Sequence, residues 1–293
     1  AGSARVLRVL PGAASPDRGQ GVGGVSAGRG AKSAGRIGRF VRGLRTTLVG
    51  LAVVAAGWEL LHLALRTPAV PSPAEALGAL FGRLGPELPA HLGASLARIL
   101  AATAAQVAFG GALGIALGAS RRVAAVLGPA VSVLYPVPKI AFLPVFMITL
   151  GIGEASKVLF VVTVAAFQTI VALRDGVAEI PPNLRLAARS LGLGRGGTVR
   201  HLMLPALAPR LFTAARLGIG VGLSALFFAE NYATRHGIGY LIMNSFAMAD
   251  YRAMYAGIVA LSLLALALFA ALDAAERGVC PWLRAGHAPG DRA

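Results

Sequence analysis

An all-α polytopic membrane protein with about six transmembrane helices is the fold class this sequence predicts, and three observations carry that prediction. Hydrophobic types make up 56% of the 293 residues and charged types 14%, and the mean hydropathy is +0.70. An ordinary soluble domain carries about 25% charge and roughly 45–50% apolar residues, so the composition argues against a soluble enzyme. The apolar residues also gather into runs of the length a helix needs to cross a hydrocarbon core, about 17–25 residues. Finally, the basic excess, 28 Lys+Arg against 12 Asp+Glu, sorts to one side of those runs. A single cysteine, Cys280, leaves no intrachain disulfide or Cys-based zinc site, and the five histidines show no metal-ligand spacing.

Residues 1–45 come first and differ from the rest. They hold eleven Gly, nine Lys/Arg and one acid, Asp17, with no apolar run long enough to insert. They read as a flexible basic tail on the cytoplasmic side; an Arg-rich, acid-poor start also resembles an organelle transit peptide. The spans follow in a domain over 46–277, at 47–65, 92–119, 123–150, 155–173, 211–229 and 254–272. The first is interrupted by Glu59 and His62, a pair one turn apart. The third is broken by Pro136, Pro138 and Pro144. All are rich in Ala and Gly, which let membrane helices approach closely. Between the first two, residues 74–84 have helical periodicity, either lying along the interface or capping the bundle. Residues 278–293 read as a second cytoplasmic tail.

Orientation follows from the basic residues. With the amino terminus inside, the inside segments hold 21 of the 28 Lys/Arg. That bias predicts both termini on the cytoplasmic side of a plasma membrane. It accounts for most of the net charge of +16 without a nucleic-acid partner.

The loop 181–205 is the most informative stretch. Pro181 and Pro182 can open a helix; Leu184–Leu191 has good helix formers with small residues at Ala187 and Ala188. Gly192 and Gly194 can end it in the left-handed conformation. A second short helix, Thr198–Met203, is expected to stop at Pro205. The result is a cytoplasmic knob whose flanking arginines (185, 189, 195, 200, 210 and 216) suit an acidic partner or lipid headgroups.

Ala187-Ala188, then Gly192, then Leu204-Pro205 resemble the Glu-Ala-Ala loop of ATP-binding-cassette importer permeases. Further stretches are similar to the nitrate/sulfonate/taurine-type branch of that family. They are Pro71-Ser72-Pro73, Ser95-Leu96-Ala97-Arg98, Tyr135–Pro144, Gly151–Lys157, Ala229-Glu230 and Gly237–Ile242. The resemblance covers about residues 47–277. The family's Glu falls on Leu186, which removes one polar contact and leaves the small-residue face and the glycine turn. The resemblance implies that Ala187, Ala188, Gly192, Leu204 and Pro205 couple the chain to a separate ATPase subunit. The chain's three lysines lack the glycine frame of a phosphate-binding loop, so ATP and Mg would belong to that partner. The resemblance also implies a homodimer and an extracytoplasmic solute-binding protein.

Polar groups inside spans are costly and are functional candidates by default. Lys139, Gln168, Ser224, Glu230 and Asn231 are therefore candidates for the translocation path, each with a structural alternative as a helix-to-helix partner. No catalytic or metal-binding constellation stands out. A self-sufficient secondary transporter or channel is the alternative class. It would favour an internal repeat or membrane-buried acids, and Glu59 is the one acid well inside a predicted span.

Overall fold

The computed structural model describes residues 48–82, 84–232 and 234–284. The 1–45 tail and the last nine residues of the 278–293 tail lie outside the described residues. The chain divides between Gly57 and Trp58 into two units. The first contributes residues 48–57, which are helical and exposed; they begin α1 (Leu48–Leu65).

The second unit is all helix among the described residues. Its elements are α2 (Pro73–Phe81), α3 (Leu88–Ala119), α4 (Arg121–Leu134), α5 (Leu143–Leu150) and α6 (Glu154–Glu179). They continue with α7 (Pro182–Ser190), α8 (Arg195–Glu230), α9 (Ile238–Ala247) and α10 (Tyr251–Val279). Five helices, α1, α3, α6, α8 and α10, are long and apolar enough to cross a membrane. α4 and the segment Lys139–Leu150, bent by 93°, together make a sixth candidate, as one broken span or a re-entrant loop. Pro136 and Pro138 fall at that bend, where they break the backbone ladder. The predicted third span is therefore an angled pair rather than one rod.

α6 is the centre of the bundle. It packs against α8 and α3, and α10 closes over α8 and α9. The main core joins Ile99 of α3, Phe160 and Val161 of α6, Ile219, Leu223 and Leu226 of α8, Ile238 of α9 and Leu264 of α10. Glycines allow the close α3–α6 crossing. A Cβ at Gly110 would meet the Ala166 carbonyl at 3.1 Å, one at Gly114 the Ile170 carbonyl at 2.6 Å, and one at Gly118 the Val177 Cβ at 2.5 Å. Their spacing of four puts all three on one stripe, the small-residue contact that membrane helices use when packing must supply the association.

Two elements run further than their sequence signals suggest. The predicted short helix Thr198–Met203 does not stop at Pro205. It continues without a break into α8, through a π-helical turn at Val199–Met203. Pro205 sits in the first turn after that wide turn, where a missing N–H costs little. α10 continues to Val279 and is followed by a buried Cys280. Burial pushes the Cys280 thiol above its ordinary range. The predicted Glu59–His62 pair does not form: His62 Nδ1 lies 2.7 Å from the Val70 carbonyl instead.

α2 is a capped helix on the flank of α10. Ser72 and Glu75 exchange backbone bonds in a capping box. Glu75 also pairs with Arg252 at 2.6 Å, and Leu80 and Leu84 pack on Ala253, Ala256 and Ala260. Its apolar side thus covers the bundle.

Candidate coupling loop and translocation path

At one end of the bundle α6 ends at Glu179, and α7 projects from Pro181–Pro182. Its termination is fully specified. Leu193 N–H donates to the Ala188 carbonyl at 3.1 Å and Gly192 N–H to the Arg189 carbonyl at 2.9 Å, with Gly192 at φ +74°. This double bond is a Schellman cap, and the positive φ is why glycine stands there. Ala188 faces inward and is buried; Ala187, Leu204 and Pro205 are exposed. Leu186 is 61% exposed and Leu191 80%. The knob therefore presents unpartnered leucines beyond the bundle.

Its base is held rigidly. Arg185 donates to the Val177 carbonyl, and Arg210 of α8 pairs with Glu179 of α6. Leu173, Val177, Ile180, Met203 and Leu207 pack beneath. Arg216 pairs with Asp273 and Glu276 of α10. These contacts join the base of α7 to α6, α6 to α8, and α8 to α10.

Four of the five candidate path residues separate into two places. Lys139 and Gln168 border one cavity of about 360 Å³, together with Tyr135, Phe167 and Val221. Lys139 Nζ donates to the carbonyls of Leu134, Tyr135 and Val137 at 3.3, 2.5 and 3.3 Å. It also lies 4.7 Å from the Phe167 ring centroid. It caps carbonyls freed where α4 ends. Gln168 Oε1 is buried with no hydrogen-bond partner. Ser224 bonds back to the Gly220 carbonyl at 3.3 Å, a local helix contact.

Glu230 and Asn231 lie at the end of the bundle opposite the knob. Glu230 is 1% exposed, and its carboxylate accepts bonds from three sources. These are Ser95 Oγ at 2.7 and 2.9 Å, Arg98 Nη1 at 2.7 Å and the Gly239 amide at 2.8 Å. Arg98 also grips Glu154 with Nε and Nη2, at 2.5 and 2.7 Å, and donates to the His236 carbonyl at 2.7 Å. Ile238 N–H donates to Ser95 Oγ at 2.8 Å, and Gly237 N–H to His91 Nδ1 at 3.1 Å. A Cβ at Gly237 would meet Glu230 Cδ at 2.5 Å. The network ties α3, α6, α8 and the turn into α9 together. Asn231 Oδ1, beside it, is buried without a partner.

Three members of this region, and Gln106 in mid-bundle, carry little weight in the sequence. His91, Glu154 and Lys157 lie near span ends, where polar residues are common. Lys157 is buried and close enough to Arg98, Glu154 and Glu230 to feel their charges. Gln106 is buried mid-bundle, with Nε2 3.2 Å from Thr169 Oγ1; a Cβ at Gly218 would lie 1.9 Å from that nitrogen. The available signal was Ser95 and Arg98, three apart and so on one helix face.

The structure thus joins a helical core, an exposed capped knob at one end and a buried ion-pair network at the other. The sequence profile of the "binding-protein-dependent transport system inner membrane component" family matches residues 107–282. The taurine transport system permease protein TauC of Escherichia coli (strain K12) is 34% identical over 232 residues, 77% of this chain and 84% of TauC. The putative aliphatic sulfonates transport permease protein SsuC of Bacillus subtilis (strain 168) is 27% identical over 163 residues, 56% of this chain and 59% of SsuC. A chain of the MetNI methionine ABC transporter, solved in inward-facing conformations, aligns with a TM-score of 0.52 at 21% identity. That alignment covers 63% of this chain and 94% of the MetNI chain, a likeness of fold.

The chain belongs to the binding-protein-dependent transport inner-membrane component family, in the branch that includes the taurine and aliphatic sulfonate ABC permeases.

Proposed function

We propose that the chain is the permease subunit of an ATP-driven importer for a small sulfonate-type anion of the taurine class. The single observation that supports it most is the α7 knob: a capped helix with exposed Leu186 and Leu191 on a base braced to α6, α8 and α10. Exposed apolar side chains on a rigid support suit insertion into a partner's groove. In this reading Ala187, Ala188, Gly192, Leu204 and Pro205 form the contact region for a separate ATPase subunit, which holds ATP and Mg. Leu186, in place of the family's Glu, makes the contact apolar.

The knob lies on the cytoplasmic side, with both termini, and the Arg98–Glu230 end lies outside, where a solute-binding protein delivers substrate. Two copies of the chain enclose the path, because one chain offers one knob and two ATPases must close on each other. ATP-driven closure moves the knobs and alternates access as a rigid-body change. The Lys139–Gln168 cavity lies on the path.

Reconstitution with the ATPase subunit and the binding protein tests this reading. Taurine uptake into proteoliposomes is expected to require ATP inside or outside according to the ATPase's side, and to stop without it. Uptake driven by an ion gradient in the absence of ATP would instead establish a secondary transporter.

A further inference from the structure

A second cavity sits beside the knob, and none of the five coupling residues lines it. Its volume is about 590 Å³, and it lies between the start of α4, the inner side of α7 and the first turns of α8. Arg121, Arg122, Arg185, Arg189 and Arg195 all border it, and no carboxylate does. Among the described residues no salt bridge reaches any of the five. Arg185 spends one nitrogen on the Val177 carbonyl, and its Nε is buried with no partner. The cavity also receives the start of the 14-residue α4, capped by Ser120. First-turn amides there have no partner within the helix.

Arg185 is half-buried and the other four arginines are exposed; five like charges around one cavity without a carboxylate among them repel one another, screened by solvent. An oxyanion relieves it. Guanidinium forks match a phosphate's oxygens two at a time, and a helix start supplies further donors. We propose that this cavity binds a phosphate-type oxyanion, either the headgroup of an acidic phospholipid or free phosphate. The bound anion bridges α4 to α7 and so fixes the knob relative to the bent pair. Basic pockets at this level of a membrane protein take phospholipid headgroups by the same chemistry.

The headgroup source rests on the reading that the knob is cytoplasmic; the anion site itself does not. The test uses the purified full chain, without ATP. Inorganic phosphate is titrated in detergent at constant ionic strength against chloride, with thermal unfolding and calorimetry as readouts. In parallel, lipid retained from nanodiscs of phosphatidylglycerol or phosphatidylcholine is counted by native mass spectrometry. The expected result is one saturable site per chain for phosphate, phosphatidylglycerol or both. Its affinity falls about tenfold or more in Arg185→Gln/Arg189→Gln, as for loss of a bidentate charge-assisted contact. Arg189→Gln/Arg195→Gln keeps the Arg185–Val177 bond and serves if the first variant misfolds. Arg252→Gln, a charge loss at the far end, leaves the affinity unchanged. Retention of phosphatidylglycerol alone assigns the headgroup, and phosphate binding in detergent assigns the free ion. No preference for phosphate over chloride or for phosphatidylglycerol over phosphatidylcholine overturns the site, as does unchanged binding in both arginine variants. Since the readout is binding without ATP, that failure leaves ATP-driven uptake untouched.

Discussion

Arg98 and Glu230 are each buried and each saturated by the other and its neighbours. Removing one partner of such a pair strands a charge, at a cost of about 3–5 kcal/mol. Arg98→Gln, which strands Glu230, is expected to lose that much in unfolding experiments in detergent, and Glu230→Gln less, because Arg98 keeps its pair with Glu154. The double variant should cost clearly less than their sum, because it strands neither charge; strict additivity would show that the pair is not coupled. Glu75 gives a pH-dependent counterpart at the surface. The Ser72 backbone bond and the charge of Arg252 hold its carboxyl below the ordinary 4.5. A lowered folded-state value means that its stabilisation is present above that ordinary value and is lost as pH falls through the folded one. The difference in unfolding midpoint between wild type and Glu75→Gln should therefore be flat above about pH 5 and vanish in more acid solution. A difference that grows on acidification would contradict the assignment.

Among the helices, α3 and α6 are set by their glycine stripe. Gly114→Leu drives a side chain into the Ile170 carbonyl and Leu173. Overpacking of this kind costs typically about 1–3 kcal/mol. Gly93→Ala is the contrasting variant: a Cβ there meets nothing within 4 Å, so helix propensity alone predicts a gain of up to about 1 kcal/mol. Thermal unfolding of the two should move in opposite directions. The spans themselves were legible in the sequence because a 17–25-residue apolar run has few other fates. Their ends were not. α3 begins at Leu88 with Pro89 in its first turn, and α10 reaches Val279 past the Arg216 pairs with Asp273 and Glu276, neither of which a hydropathy count registers. The passage from the knob into α8 is not legible at Pro205, since a π-turn just before a proline leaves no signature in residue type.

The whole molecule follows a different logic of legibility. The knob was readable because its parts are local: two prolines, two alanines and a glycine at fixed spacing decide one helix and its cap. The locked far end was not, because Ser95, Arg98, Glu154, Glu230 and the 237–239 backbone meet only after three long helices have packed. Glu230 entered the sequence reading as a candidate for the path; the structure shows its oxygens occupied by protein donors, while Lys139 and Gln168 share a cavity. Arg210 and Arg216 brace helices, whereas Arg121, Arg122, Arg185, Arg189 and Arg195 gather around one cavity. The central claim is that the α7 knob carries the ATPase. It is tested most directly by placing a single cysteine at its tip, Leu191→Cys, in a Cys280→Ser chain, and cross-linking the assembled transporter. The account predicts an adduct with the ATPase subunit from Leu191→Cys and none from Ile148→Cys, an exposed position on α5. Normal ATP-driven uptake with no adduct at position 191 would contradict it.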